Sequence, residues 1–245
     1  MICCSKTELI IFQNSWSSRE SIVATLNINN NNIVSSSKVK NLGVTFDKDL
    51  NMTDYVDLLC KSLLYQLSKI RSIRNYLSVD ATKYLVTTLI LSKIDNCNSL
   101  LAVVNNSLLY KLQLIQKSAA RLIVRMRKFD HITPLLMDLH WLPVKHRIDN
   151  KIALLCFKCL NNAALSYLKD LLDIYVPRRT LRSSSDTTLL CIPSTNYKHY
   201  GNRSFNYQGP KIWNELPCSI RNLTSLNIFK KRLKTYLFNR AFIDN

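Results

Sequence analysis

Asn106-Ser107-Leu108-Leu109-Tyr110-Lys111-Leu112-Gln113-Leu114-Ile115-Gln116-Lys117-Ser118-Ala119-Ala120-Arg121-Leu122-Ile123-Val124-Arg125-Met126-Arg127-Lys128 is the stretch from which the fold can be read. Leu108, Leu112, Ile115, Ala119, Leu122 and Met126 recur at alternating steps of four and three, the repeat of one helical face, so an amphipathic helix is expected. The other faces carry Lys111, Lys117, Arg121, Arg125, Arg127 and Lys128, and no acid occurs before Asp130. Lys117, Arg121 and Arg125 follow at four-residue steps, with Lys128 one further turn on, a stripe that advances about 6 Å per step. Like charges so spaced repel by a few tenths of a kcal/mol per pair, a cost that a bound polyanion relieves. These four are candidate phosphate contacts, and a solvated basic face is the alternative.

The charge of the whole chain points the same way. Residues 1–57 hold 5 Lys/Arg against 6 Asp/Glu and residues 58–245 hold 29 against 10, so the formal +18 is −1 followed by +19. Such an excess favours polyanionic partners through counterion release. With 245 residues, 47% of them hydrophobic, the chain can bury a substantial core and is not a disordered tail. It opens without a basic and then apolar leader, and no run approaches the ~18 apolar residues of a membrane span. The expectation is an intracellular protein of nucleus or cytoplasm, neither secreted nor membrane-bound. Eight scattered cysteines lack the spacing of a secreted disulfide scaffold, so reduced thiols are expected.

Outward from the central helix, the first fifty residues read as strands: Lys6–Phe12, Ile22–Ile28 before the turn-forming Asn29-Asn30-Asn31-Asn32, and Val39–Phe46. From about Asn51 the period is helical. Ser78 and Asp80 start a buried helix running towards Leu100. Thr133-Pro134 begins a short one, and another covers about 145–162. The Arg- and Ser-rich stretch Pro177–Ser185 reads as a basic connector whose Arg178, Arg179 and Arg182 are further candidate nucleic-acid contacts. Residues 200–218, rich in Gly, Pro and aromatics, suggest an irregular segment pinned by Trp213. A closing helix around Leu226, Phe229, Leu233 and Leu237 carries the remaining candidates Lys230, Lys231 and Lys234. The fold expected is α+β and predominantly α-helical.

An ordered series of motifs is more specific. It comprises Lys6-Thr7-Glu8, Asn41-Leu42-Gly43-Val44-Thr45-Phe46-Asp47, Asp95-Asn96-Cys97-Asn98-Ser99-Leu100-Leu101, Asp130-His131-Ile132-Thr133-Pro134-Leu135-Leu136 and Leu139-His140-Trp141-Leu142-Pro143-Val144. Tyr200-Gly201-Asn202-Arg203-Ser204-Phe205, Gly209-Pro210-Lys211-Ile212-Trp213-Asn214-Glu215-Leu216-Pro217 and Phe229-Lys230-Lys231-Arg232-Leu233-Lys234 continue it. From about residue 6 to 242 the chain resembles the distal part of reverse transcriptases from non-LTR, LINE-type retrotransposons. It departs from that family at Val103-Val104-Asn105, where the family has Gly-Leu-Pro. The resemblance implies a palm remnant of strands over 1–50, a helical thumb-like region over 51–175 and a basic post-polymerase region over 176–245. It implies contact with RNA, DNA or an RNA–DNA template–primer, and packing against an upstream polymerase half.

No two aspartates are adjacent in this sequence, so the family's Asp-Asp turn is absent. Two-metal nucleotidyl transfer needs converging carboxylates, so the chain alone is expected not to be an enzyme, with Mg²⁺ needed only by an intact polymerase. Asp47, Asp49, Asp54 and Asp57 cluster in sequence, but caps and dipole partners are the commoner roles at such places. No catalytic or metal-binding residue and no cofactor is therefore assigned. Cys156-x-x-Cys159 falls on an apolar helix face without a second Cys/His pair, which favours buried thiols over zinc. His131, His140, His146 and His199 lack an obvious nucleophile partner, and Trp141 and Trp213, beside Leu-Pro pairs, favour core anchoring over base stacking. A helical protein-interaction module, domesticated or a non-functional remnant, is the competing reading.

Overall fold

In the computed structural model, which describes residues 7–12, 24–28, 31–176, 188–195 and 201–243, short strands precede a long succession of helices. The fold is α+β and predominantly α-helical. Strands β1 (Leu9–Ile10), β2 (Thr25–Ile28) and β3 (Asn31–Ser36) form a sheet in the order β1-β3-β2, parallel at β1 and antiparallel at β2, where Ile28 faces Asn31. Asn31 and Asn32, expected in the turn, instead begin β3.

The single strand expected over Val39–Phe46 is a hairpin of β4 (Lys38–Asn41) and β5 (Val44–Asp47). Its two-residue turn is Leu42-Gly43, with φ of 48° and 86°. Positive φ at both turn positions matches the twist of paired strands. Gly43 adopts it without steric cost, whereas Leu42 does so against its Cβ, and alternation of apolar residues gives no sign of that.

Of the strand side chains only Val44 is fully buried, where β5 packs against α1 (Thr53–Ile73). Asp47 accepts hydrogen bonds from the backbone N–H of Asn51 (2.7 Å) and Met52 (2.8 Å), holding the chain that leads into α1. Arg203, far along the chain, donates to the Leu50 carbonyl in the same bend. Tyr55, Val56, Leu63, Leu67 and Ile70 bury the inner face of α1.

The Ser78 hydroxyl accepts from the Ala81 N–H (3.2 Å) and starts α2 (Val79–Val86). A π-turn, Thr87–Leu91, joins it to α3 (Ser92–Asp95). Thr87, Thr88 and Ser92 each turn a hydroxyl back to the carbonyl four residues earlier, the kind of competition that loosens a helical ladder. The helix expected to reach Leu100 stops at Asp95. Cys97 takes a φ of 52°, and Asn98–Leu101 form a 3₁₀ turn.

Helix α4 (Asn106–Val124) is capped by Asn105, whose Oδ1 accepts from the Ser107 N–H, and ended by Arg125 at φ 56°. Its buried residues are Leu108, Leu112, Ile115, Gln116, Ala119, Ala120 and Ile123, so the expected stripe turns towards Ala120 and Ile123, leaving Leu122 and Met126 half-buried. Gln116 donates to the Leu142 carbonyl (2.8 Å), and Gln113 accepts from the Val144 N–H (2.8 Å). Two glutamines thus fix the Leu142-Pro143-Val144 approach to α6 (Val144–Leu160), after α5 (Ile132–Asp138).

Beyond α7 (Ser166–Lys169), the stretch expected to be irregular is not so over residues 201–218: a 3₁₀ turn (Gly201–Arg203) and α8 (Phe205–Asn214) fill most of it, and α9 (Cys218–Arg221) begins at its end. Gly209 and Pro210 read as breakers, but burial of Gln208, Gly209, Pro210 and Trp213 against α6 overrides them. A Cβ on Gly209 would lie 3.0 Å from the Cys156 sulfur, so any larger residue there would force the two helices or the thiol to give by a few tenths of an ångström. Helix α10 (Leu226–Phe242) adds Phe229, whose ring stacks between Phe157 (4.2 Å) and Trp213 (5.9 Å). The Trp213 indole donates to the Thr188 carbonyl (2.8 Å), and Trp141 is buried too, so both tryptophans serve the core. One cluster of buried side chains runs from Val44 to Leu237. No helix among the described residues is long and apolar enough to cross a membrane.

Candidate nucleic-acid interface

Arg74, in the turn after α1, is only 6% exposed. Its guanidinium donates to the carbonyls of Leu122 (2.9 Å), Ile123 (2.6 Å) and Leu77 (2.8 Å). It thereby serves carbonyls in the last turn of α4 and places a cation at the negative end of that helix. Arg125, the left-handed residue ending α4, donates from Nη2 to the Arg74 carbonyl (3.3 Å). The ends of α1 and α4 are fixed together by these bonds.

A cleft of about 430 Å³ opens beside this junction. Arg71 from the last turn of α1, Arg121 and Arg125 from the end of α4, and Lys128 from the following turn line it, with Ser118, Leu122 and Met126. Among the described residues, none of the four cations is ion-paired with a carboxylate. Arg121 donates from Nη2 to the Asp130 carbonyl (3.2 Å), while its Nε is shielded from solvent without a hydrogen-bond partner. The Asp130 carboxylate is turned to the Arg127 N–H (2.8 Å), where it shapes the turn. The carboxyl end of α4 opposes an anion with about half a charge, which Arg74 covers, against four full positive charges.

The expected stripe is therefore only partly realised. Helix α4 ends at Val124, so Lys128 reaches the cleft through a turn and not through a further helical turn. Lys117 is half-buried and does not line the cleft. Arg71 was not apparent because its approach to α4 is a tertiary event; the one local signal is its place in a basic run, Lys69-Ile70-Arg71. Lys230, Lys231 and Lys234 are exposed on α10, and Lys234 borders a separate cleft with Asn98 and Arg147. Arg178, Arg179 and Arg182 lie outside the described residues.

The other chemically able groups are engaged elsewhere. Asp54 pairs with Lys38 (2.9 Å) and Asp57 with Lys111 (2.7 Å), while Asp47 holds the start of α1. No group of three or more metal-ligating side chains occurs among the described residues. Burial pushes the thiols of Cys156 and Cys159 up, away from the reactive thiolate. Burial, then Lys145 and Arg240, hold His146 below its ordinary value. His140 turns Nδ1 to the Asp138 carbonyl (3.1 Å) and stacks on Phe238. No known family model, curated protein or solved structure matches the chain.

Proposed function

We propose that this chain is a thumb-like, nucleic-acid-binding part of a protein resembling the reverse transcriptases of non-LTR retrotransposons, gripping a template–primer duplex without itself copying it. The observation that carries this reading is the convergence of Arg71, Arg121, Arg125 and Lys128 on one cleft free of ion-paired carboxylates among the described residues. Guanidinium groups match phosphate oxygens in geometry and charge, and the cleft asks nothing of base sequence. The motif series supports the polymerase relation, and the hydrogen bonds of Asp47 in the bend before α1 and the ion pairs of Asp54 and Asp57 support a non-catalytic role for this chain.

Binding to an RNA–DNA duplex, followed by fluorescence anisotropy across a salt series, tests the reading. Changing Arg71, Arg121 and Lys128 together to Gln should weaken binding irrespective of sequence and lower the slope of log K against log salt by about 3. An unchanged slope in a folded variant would remove this cleft from the binding surface. Exposed Leu165, Tyr167, Leu171, Ile174 and Val176 favour a second reading, a helical protein-interaction module. Weak, salt-insensitive binding by the unaltered chain would select it.

A further inference from the structure

A second cleft, of about 340 Å³, lies where the turn after α3 meets α6 and α10. Asp95, Asn98, Arg147, Asn150, Lys151 and Lys234 line it, with Leu142 and Leu154 as an apolar wall. Asp95 and Arg147 form a two-pronged pair, Nε to Oδ1 at 2.7 Å and Nη2 to Oδ2, and so neutralise one another. Lys151 and Lys234, from different helices, have no acidic partner among the described residues. Asn98 is 2% exposed, yet its Oδ1 has no hydrogen-bond partner, and the Oδ1 of Asn150 is likewise shielded and unpartnered.

Shielded amide oxygens are normally satisfied, and these two belong to side chains that line one cleft, so a ligand there that turns the two amides outward supplies the partners they lack. A carboxamide offers a donor and an acceptor side by side, which is the complement of a nucleobase edge. Two ammonium groups at the same cleft suit a phosphate, and the leucines suit the face of a base or ribose. The volume is at the small end for ligand sites and admits one such unit, not a duplex.

We infer that this cleft takes one unpaired nucleotide of a bound strand, its phosphate on Lys151 and Lys234 and its base edge on Asn98 and Asn150. The inference rests on the nucleic-acid reading above and goes beyond it, since a duplex offers no free base edge of this kind.

The test compares a blunt RNA–DNA duplex with the same duplex bearing a single-stranded overhang, by anisotropy with the full chain. The overhang should bind about ten-fold more tightly, the scale of one good base-edge contact. Asn98→Ala and Asn150→Ala should each reduce that preference while leaving affinity for the blunt duplex unchanged. Because Asn98 is buried, the exposed pair Lys151→Gln with Lys234→Gln provides a variant that spares the core and should also reduce the preference. Equal affinity of the unaltered chain for both duplexes, or a preference that survives all these changes, overturns the inference alone. Failure to bind either duplex overturns the earlier reading as well.

Discussion

Asp149 on α6 carries a carboxyl that burial pushes up from 3.8 to about 6, against the opposing pull of Lys145 and Arg240. Between about pH 4 and 6 the folded chain holds this proton and the unfolded chain does not. Stability from this group therefore falls as pH rises through that window, and above it the buried charge costs up to about 3 kcal/mol. His146, three residues away, acts in the opposite sense: its lowered value makes stability fall as pH drops below its ordinary 6.5. Asp149→Asn should stabilise the chain by roughly 1–3 kcal/mol at about pH 7 and hardly at all at about pH 4, measured by urea denaturation at each pH. An equal change at both would show that the carboxyl's charge is not responsible. The sequence displayed the charge of α4 openly, because side-chain type is all that charge requires. It concealed the use of Arg74 as a buried clasp, because nothing local separates an arginine that turns inward from one that is solvated.

Helix α4 was legible as an element because its apolar residues keep the helical period for five successive steps; what escaped was the inward drift towards Ala120 and Ile123 and the end of the helix at Val124, before Lys128. The β4–β5 hairpin was not, since its turn begins with a leucine in a conformation that leucine disfavours. Helix α8 was misread for the opposite reason: Gly209-Pro210 looks like a break, and only the neighbouring α6 makes a helix favourable there. That contact can be measured. Gly209→Ala gains about 1 kcal/mol of helix propensity but forces a methyl to 3.0 Å from the Cys156 sulfur and 3.3 Å from Leu172 and Phe205. Overpacking of this kind commonly costs 1–3 kcal/mol, so a net loss of about 1 kcal/mol is expected. In a Cys156→Ala background the same substitution should be neutral or favourable. A thermal-denaturation cycle showing no coupling between the two positions would refute the close approach of α6 and α8.

Across the whole molecule, order should be graded from one end to the other. Among the described residues the strands β1 to β3 contribute no side chain to the buried core and belong to a sheet of only three strands, whereas α4 is packed against α1, α2, α5 and α6. Hydrogen exchange followed by mass spectrometry should find amides of 25–28 and 31–36 exchanging orders of magnitude faster than those of 108–123. Comparable protection in both would mean that the strands are covered by something the chain's own packing does not supply. The division at residues 50 and 175 was drawn from composition and resemblance, and the core runs past both points. It does so at the stack of Phe157, Phe229 and Trp213 and at the bond from Arg203 to the Leu50 carbonyl. The last of these has a mechanical meaning. It makes the chain a loop with a clasp rather than a string of beads: pulled from its two ends, the molecule would bear the load at that clasp together with the packing of α10 on α6, and the helices between would be spared until both parted.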